Sequence, residues 1–322
     1  MKILVTGGMG LIGHNVVKKL IDLGHEPTIV DNRTTYGILD HNELTYLFSE
    51  RVKKFASTPN FNIDIVNQYA LDKLFTFNNF EAIIHLASFP RQKVVNKHPN
   101  WGSRVMSEGL INLLELSKTY KVKKFVYISS SMVYGSFVDD VKEDYHCKPE
   151  GQYGILKLAG EWLVKDYARK ELFDYTIIRP SAVYGPLDVE DRVISKFLLQ
   201  AMRNNTIYVN GASEKLDFTY VDDAAEGIVS AALSDKTNNK TYNITKSHSH
   251  TLEYAANLAI KIVGKGNIEI RGRDTDFPSR GSLNIDAARR DFGYSPKVDV
   301  EEGFQRYYEW LQNSTFWSQK TG

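Results

Sequence analysis

A single cysteine, Cys147, stands in the 322 residues, so no intrachain disulfide can form and the chain suits a reducing compartment. No apolar run approaches the roughly 18 residues that a membrane span requires. The opening MKILVT runs at once into a glycine-rich turn and is too short for a secretory signal. These absences predict a cytoplasmic protein with no membrane partner, and they leave the sequon Asn239-Lys240-Thr241 idle. An excess of one charge is also missing: 40 Lys and Arg face 39 Asp and Glu. The short basic run Lys121 to Lys124 reads as the solvated edge of a strand. Nothing favours a nucleic-acid partner. Internal repeats and low-complexity tracts are lacking too.

What the chain does carry is alternation. Strand-like apolar runs at Lys2 to Thr6, Thr28 to Val30, Ala82 to Leu86, Phe125 to Ser129 and Tyr175 to Ile178 are separated by segments of helical period at Leu11 to Leu23, Tyr69 to Phe77, Gly109 to Lys118 and Gln152 to Arg169. Buried strands alternating with amphipathic helices predict an α/β fold with a doubly wound parallel sheet. After Pro180 the elements shorten and Asn, Ser and Gly increase, which marks a second, smaller lobe. A helix over Val300 to Leu311 comes last, and the final ten or so residues read as a frayed tail.

The turn TGGMGLIG, Thr6 to Gly13, follows a strand and opens a helix, and Asp31 ends the next strand. Glycines there let backbone approach a pyrophosphate, while the helix N-terminus offers free N–H groups and a positive dipole end. Asp31 can accept both adenosine ribose hydroxyls and would repel a 2′-phosphate, which favours NAD, although Arg33 stands close enough in sequence to receive one. Two further stretches, SSSMVYG from Ser129 and YGILK from Tyr153, read singly as a strand entering a turn and as an ordinary helix. His85 reads as a core histidine, and His248-Ser249-His250 as a loop without a third metal ligand.

Taken together, TGGMGLIG, Asp31, Asp64-Ile65, HLAS from His85, SSSMVYG, YGILK, RPSAVYGP from Arg179 and DFTYVDDAA from Asp217 occur in an order that resembles the extended short-chain dehydrogenase/reductases. Within them the chain is similar to the NAD-dependent nucleotide-sugar epimerase/dehydratase family, of the UDP-galactose 4-epimerase kind, from Met1 to about Leu311. The resemblance implies a Rossmann-type domain over residues 1–179 plus about 217–245. A substrate-binding α/β lobe would cover 180–216 plus about 246–313, with a tail at 314–322. It implies NAD contacts at Gly7, Gly10, Leu11, Ile12, Gly13, Asp31, Asn32, Asp64, Ile65, Leu86, Ala87, Ser88 and Pro180. Tyr153 and Lys157 match the catalytic pair, also against the cofactor, and Ser130 matches the catalytic hydroxyl.

Chemistry agrees with that assignment. Four residues along a helix place Tyr153 and Lys157 on one face. A tyrosine with a pKa of about 10 must drop by roughly three units, about 4 kcal/mol, to act as a base near neutrality. One charge at about 6 Å and an effective dielectric of about 20 supplies roughly 2.8 kcal/mol. The positive ring of oxidised nicotinamide would supply the rest. The family's dehydratases place an acid and a base beside the catalytic hydroxyl, where this chain has Ser131 and Met132.

The resemblance therefore implies an NAD-dependent epimerase that passes through a transient 4-keto sugar, acting at C4 of a nucleotide-linked hexose or uronate. The alternatives are an NAD(P)-dependent nucleotide-sugar dehydrogenase or ketoreductase, and a non-catalytic NAD-binding protein. Three family contacts are replaced, by Ala182, Leu216 and Met106. Ser130 and Ser131 with Arg192, Lys196, Lys215 and Arg280, and also Arg271 and Arg273, are the candidates to hold the substrate and its diphosphate. A homodimer is expected, through Leu156, Ala159, Gly160 and Leu163 with Leu110, Leu113 and Leu114.

Overall fold

Ile3 and Val5 face one side of the first strand and Leu4 the other, and all three are fully buried. Such a strand needs cover on both faces. The computed structural model, which describes residues 1–34, 41–55, 57–89, 91–170 and 173–321, supplies it. The central sheet holds β1 (Lys2–Thr6), β2 (Glu26–Asp31), β3 (Asn60–Asn62), β4 (Ala82–His85), β5 (Lys124–Ile128) and β6 (Asp174–Pro180). The short strands β7 (Val183–Tyr184), β8 (Thr206–Asn210), β9 (Lys215–Asp217) and β10 (Thr219–Tyr220) follow. Then β11 (Lys240–Ile244) rejoins the central sheet, before β12 (Ser249–Thr251) and β13 (Asn267–Arg271). Among the described residues the central order is 3-2-1-4-5-6-11, with every pairing parallel.

The helices are α1 (Leu11–Asp22), α2 (His41–Val52), α3 (Gln68–Thr76), α4 (Gln92–Lys97), α5 (Pro99–Ser103), α6 (Gly109–Thr119), α7 (Gln152–Arg169), α8 (Val193–Met202), α9 (Val221–Leu233), α10 (Leu252–Val263), α11 (Asp286–Phe292) and α12 (Val300–Asn313). α1, α9 and α11 cover one face, through Val16, Val17, Leu20, Ile228 and Ala288. α3, α6 and α7 cover the other, through Leu71, Leu113 and Val164. A separate core, built on Phe197, Leu198, Leu258, Phe304 and Tyr307, joins α8, α10 and α12. Strand order reverses between β1 and β4. In open α/β sheets that switch point opens a crevice at the strands' C-terminal ends.

Two expectations need correction. Lys124 is no solvated edge: its ammonium donates to Ala231 O, Ser234 O and Thr237 Oγ1, at 3.2, 2.6 and 2.9 Å. Burial pulls it down to about 8. The tail is anchored through residues 314–317, because Trp317 is 1% exposed, Phe316 stacks on Tyr46 and Ser314 Oγ meets Tyr46 OH at 2.7 Å; Gly322 lies outside the described residues. Among the described residues no helix is long and apolar enough to cross a membrane.

Candidate active site

The glycine turn links β1 to α1. A Cβ on Gly13 would lie 2.1 Å from Gly7 O, and one on Gly7 would lie 2.6 Å from Ala87 N, so α1 presses on the turn and the turn on the end of β4. Gly10 caps α1 without a side-chain bond, and no acidic residue stands in the first turn. The N–H groups of Leu11 and Ile12 therefore remain available to an anion. A Cβ on Gly10 would meet only Gly7 O, at 3.2 Å. The missing side chain leaves open the space that a pyrophosphate needs.

Asp31 Oδ2 accepts from Met9 N at 3.0 Å and Oδ1 from Arg33 N at 2.7 Å, which fixes the acid beside the turn. Asn32 donates to Asp64 Oδ2 at 3.0 Å, and Asn112 donates to Ile65 O at 3.1 Å, which fixes the Asp64-Ile65 pair beside the turn. Leu86 N bonds Thr6 O and Ala87 N bonds Thr6 Oγ1, so Leu86 to Ser88 floor the crevice. Pro180 ends β6. The residues fit NAD.

The serine turn follows β5. The three serines divide their tasks: Ser129 Oγ donates to Glu161 at 2.6 Å, Ser130 Oγ accepts from Met132 N at 3.2 Å, and Ser131 Oγ meets Ser181 Oγ at 3.3 Å. α7 lies so close that a Cβ on Gly160 would be 2.2 Å from the Tyr127 hydroxyl. Lys157 is buried and donates to Ile128 O at 2.7 Å, with Nζ 5.9 Å from the Tyr153 ring centre. Burial drags its ammonium down to about 7.

Burial also raises the Tyr153 phenol, while Arg192 and the Ser130 hydroxyl pull it back. Lysine's charge is thus weaker in place than its spacing promised, because desolvation taxes a buried cation. His85 bonds Thr6 Oγ1 at 2.7 Å and burial holds it down to about 3, a core histidine.

Of the substrate candidates, Arg192 and Arg280 converge on this centre. Arg280 approaches Met132 Sδ at 3.7 Å, its Nε is buried without a partner, and burial with Arg192's field pulls it down to about 10. It also lines a cavity of about 240 Å³ with Phe137, Lys215 and Glu214. Lys215 is exposed and spent on Asp139 at 2.6 Å, and Lys196 points to solvent on α8. Arg271 stacks over Tyr208 and Arg273 pairs with Glu214.

The replacements sit in different settings: Ala182 lies at φ 35, a conformation asparagine tolerates better, so the backbone does not explain its presence, while Leu216 and Met106 are buried. His250 stacks on Tyr254, and the described residues hold no cluster of three metal-ligating side chains. One contributor had no local signal: Arg51 braces the glycine turn by donating to Met9 O and Leu187 O, both at 2.6 Å.

The sequence profile of the NAD dependent epimerase/dehydratase family matches residues 3–245. A putative UDP-glucose 4-epimerase of Methanocaldococcus jannaschii is 31% identical, over 97% of this chain and 99% of its own. The UDP-glucuronic acid 4-epimerase of Bacillus cereus, solved with UDP-glucuronic acid and NAD, superposes with a TM-score of 0.89 at 26% identity, over 97% and 99% of the two chains. The UDP-glucose 4-epimerase of Thermotoga maritima, solved with UDP-glucose, gives 0.87 at 26% identity, with the same coverage.

Proposed function

The chain belongs to the NAD-dependent epimerase/dehydratase family, and from that premise we propose that it inverts C4 of a nucleotide-diphosphate hexose or uronate. The carrying observation is the meeting of Ser130, Tyr153 and Lys157 at the end of the Gly7–Ser88 crevice, with Ser131 and Met132 in the turn beside them. A hydroxyl and a thioether cannot serve as the acid and base that elimination of water requires. The residues of the glycine turn and the Leu86–Ser88 floor would hold NAD, which would supply a reversible hydride acceptor for C4. Tyr153 takes the C4 hydroxyl proton and gives it back, and Ser130 holds the oxygen through both states. Arg280 and Arg192 face each other as cations, and the substrate's diphosphate would relieve their repulsion. Incubation with a panel of nucleotide sugars should give C4 epimers without net change at 340 nm. Stoichiometric NADH build-up with no epimer would make this a dehydrogenase.

The division into a cofactor domain, 1–179 with 217–245, and a substrate lobe is part of the same reading, as are the cytoplasmic setting and a homodimer. For the dimer the supporting face differs from the expected one. Leu110, Leu113 and Leu114 are buried in the protein's own core, and Gly160 lies under Tyr127. Outside remain Ile111, Ile155 and Trp162, at 38, 51 and 65% exposure, on adjoining helices. An apolar stripe of that kind across two helices suits a second copy. Sedimentation should show a species of twice 36.6 kDa, and Trp162→Glu should convert it to monomer. A wild-type monomer at micromolar concentration would refute the dimer.

A further inference from the structure

Glu161 is fully buried two turns below Tyr153, and the reaction steps above do not use it. Tyr153, Lys157 and Glu161 follow one another at four-residue intervals on the inward face of α7. The Glu161 carboxylate accepts from Ser129 at 2.6 Å, immediately before the reacting serine. It also takes the Arg179 guanidinium in a two-pronged pair, Nε to Oε1 at 2.9 Å and Nη2 to Oε2 at 2.7 Å. Arg179 in turn donates to the Tyr134 hydroxyl at 2.9 Å and to Glu143 O at 3.0 Å. Tyr134 closes the network on Asn243 Oδ1 at 2.8 Å, in β11.

We infer that Glu161 is a positioning residue for the reaction, one that locks the serine turn, β6 and α7 into a single unit and holds a buried counter-charge one turn from Lys157. The inference rests on the reading of Tyr153 and Lys157 as the reacting pair. Other titratable groups face this unit from every side: His85 on β4, Tyr127 on β5, Tyr175 on β6, Tyr134 in the serine turn, and Glu143 and Cys147 on the loop before α7. His85 is held neutral at pH 7, and burial pushes the three tyrosines and the thiol upward, so none of these five brings charge. Glu143 lies against Arg179. Among the described residues the Glu161 carboxylate is the one whose field raises Lys157 against its burial.

Glu161→Gln keeps the shape but leaves two neighbouring cations without their anion. Lys157 then loses its proton at lower pH, and Tyr153 becomes harder to ionise. The acid limb of kcat/KM, with the better of UDP-glucose and UDP-glucuronate as substrate, should move up by about one pH unit, roughly a tenfold loss at pH 7. Because breaking a buried pair also destabilises, Glu161→Leu with Arg179→Met is made beside it; replacing both ions by apolar side chains of similar volume restores stability. That double variant should recover its melting temperature while its acid limb stays displaced. An unmoved limb in the single variant, or a double variant that regains both stability and limb, would reduce Glu161 to a structural ion pair. Tyr153→Phe, run in parallel, separates the two readings: if it is inactive while the limbs do not move, only the role of Glu161 falls.

Discussion

Tyr153→Phe is expected to lower turnover by about 10²–10⁴, the scale on which general-base catalysis contributes, while NAD stays bound and the fold unchanged. Only the hydroxyl is removed. The ring packs against the core of its face, and phenylalanine keeps that contact. The hydroxyl is also the group toward which Arg192 and Ser130 direct their fields, and Tyr127 cannot take its place, being fully buried and pushed upward by burial and by Glu161. Ser130→Ala should cost less, since it removes an orienting bond and not the proton acceptor. Activity within a factor of about three of wild type in the phenylalanine variant would make the constellation coincidental.

Gly13→Ala should abolish retention of NAD. The new Cβ would lie 2.1 Å from Gly7 O and 2.8 Å from Gly8 Cα, and both are backbone atoms that cannot turn away. α1 would have to lift from the turn, carrying the Leu11 and Ile12 N–H groups off the pyrophosphate position. Loss of those donors and of the dipole end should weaken NAD by at least about a hundredfold, as two or more charge-assisted bonds are lost. Calorimetric titration with NAD would read the effect directly, with circular dichroism as a check on folding. Tight binding by this variant would place the pyrophosphate elsewhere.

The geometry of these two stretches was legible in the sequence because it is local, although the tyrosine and lysine stood out only through the ordered set of motifs. A glycine turn between strand and helix, and a tyrosine one helical turn from a lysine, announce their geometry within a few residues. Other features depend on partners far along the chain. Lys124 reads as one of three basic surface residues until its acceptors are supplied from α9 and the turn after it, 107 to 113 residues away. Trp317 reads as tail until it enters the core of α8 and α12.

Arg192 was among the substrate candidates, but the same distance hid its place beside Tyr153. Its approach to Tyr153 depends on how the loop after β7 folds over the crevice, and no spacing rule reaches across it. That Leu110, Leu113 and Leu114 are taken up by the chain's own core was hidden for a different reason. Leucines at helical spacing mark a buried stripe, and burial within one chain looks the same in sequence as burial between two.

The central claim is that hydride leaves C4 and returns to the same carbon without leaving the protein. It is tested most directly with UDP-glucose or UDP-glucuronate carrying deuterium at C4, incubated with the protein as purified and without added NAD. The account predicts the C4 epimer with its deuterium retained at C4 and no reduced cofactor in solution. Deuterium recovered in free NADH, or a 4-keto product with no epimer, would contradict it.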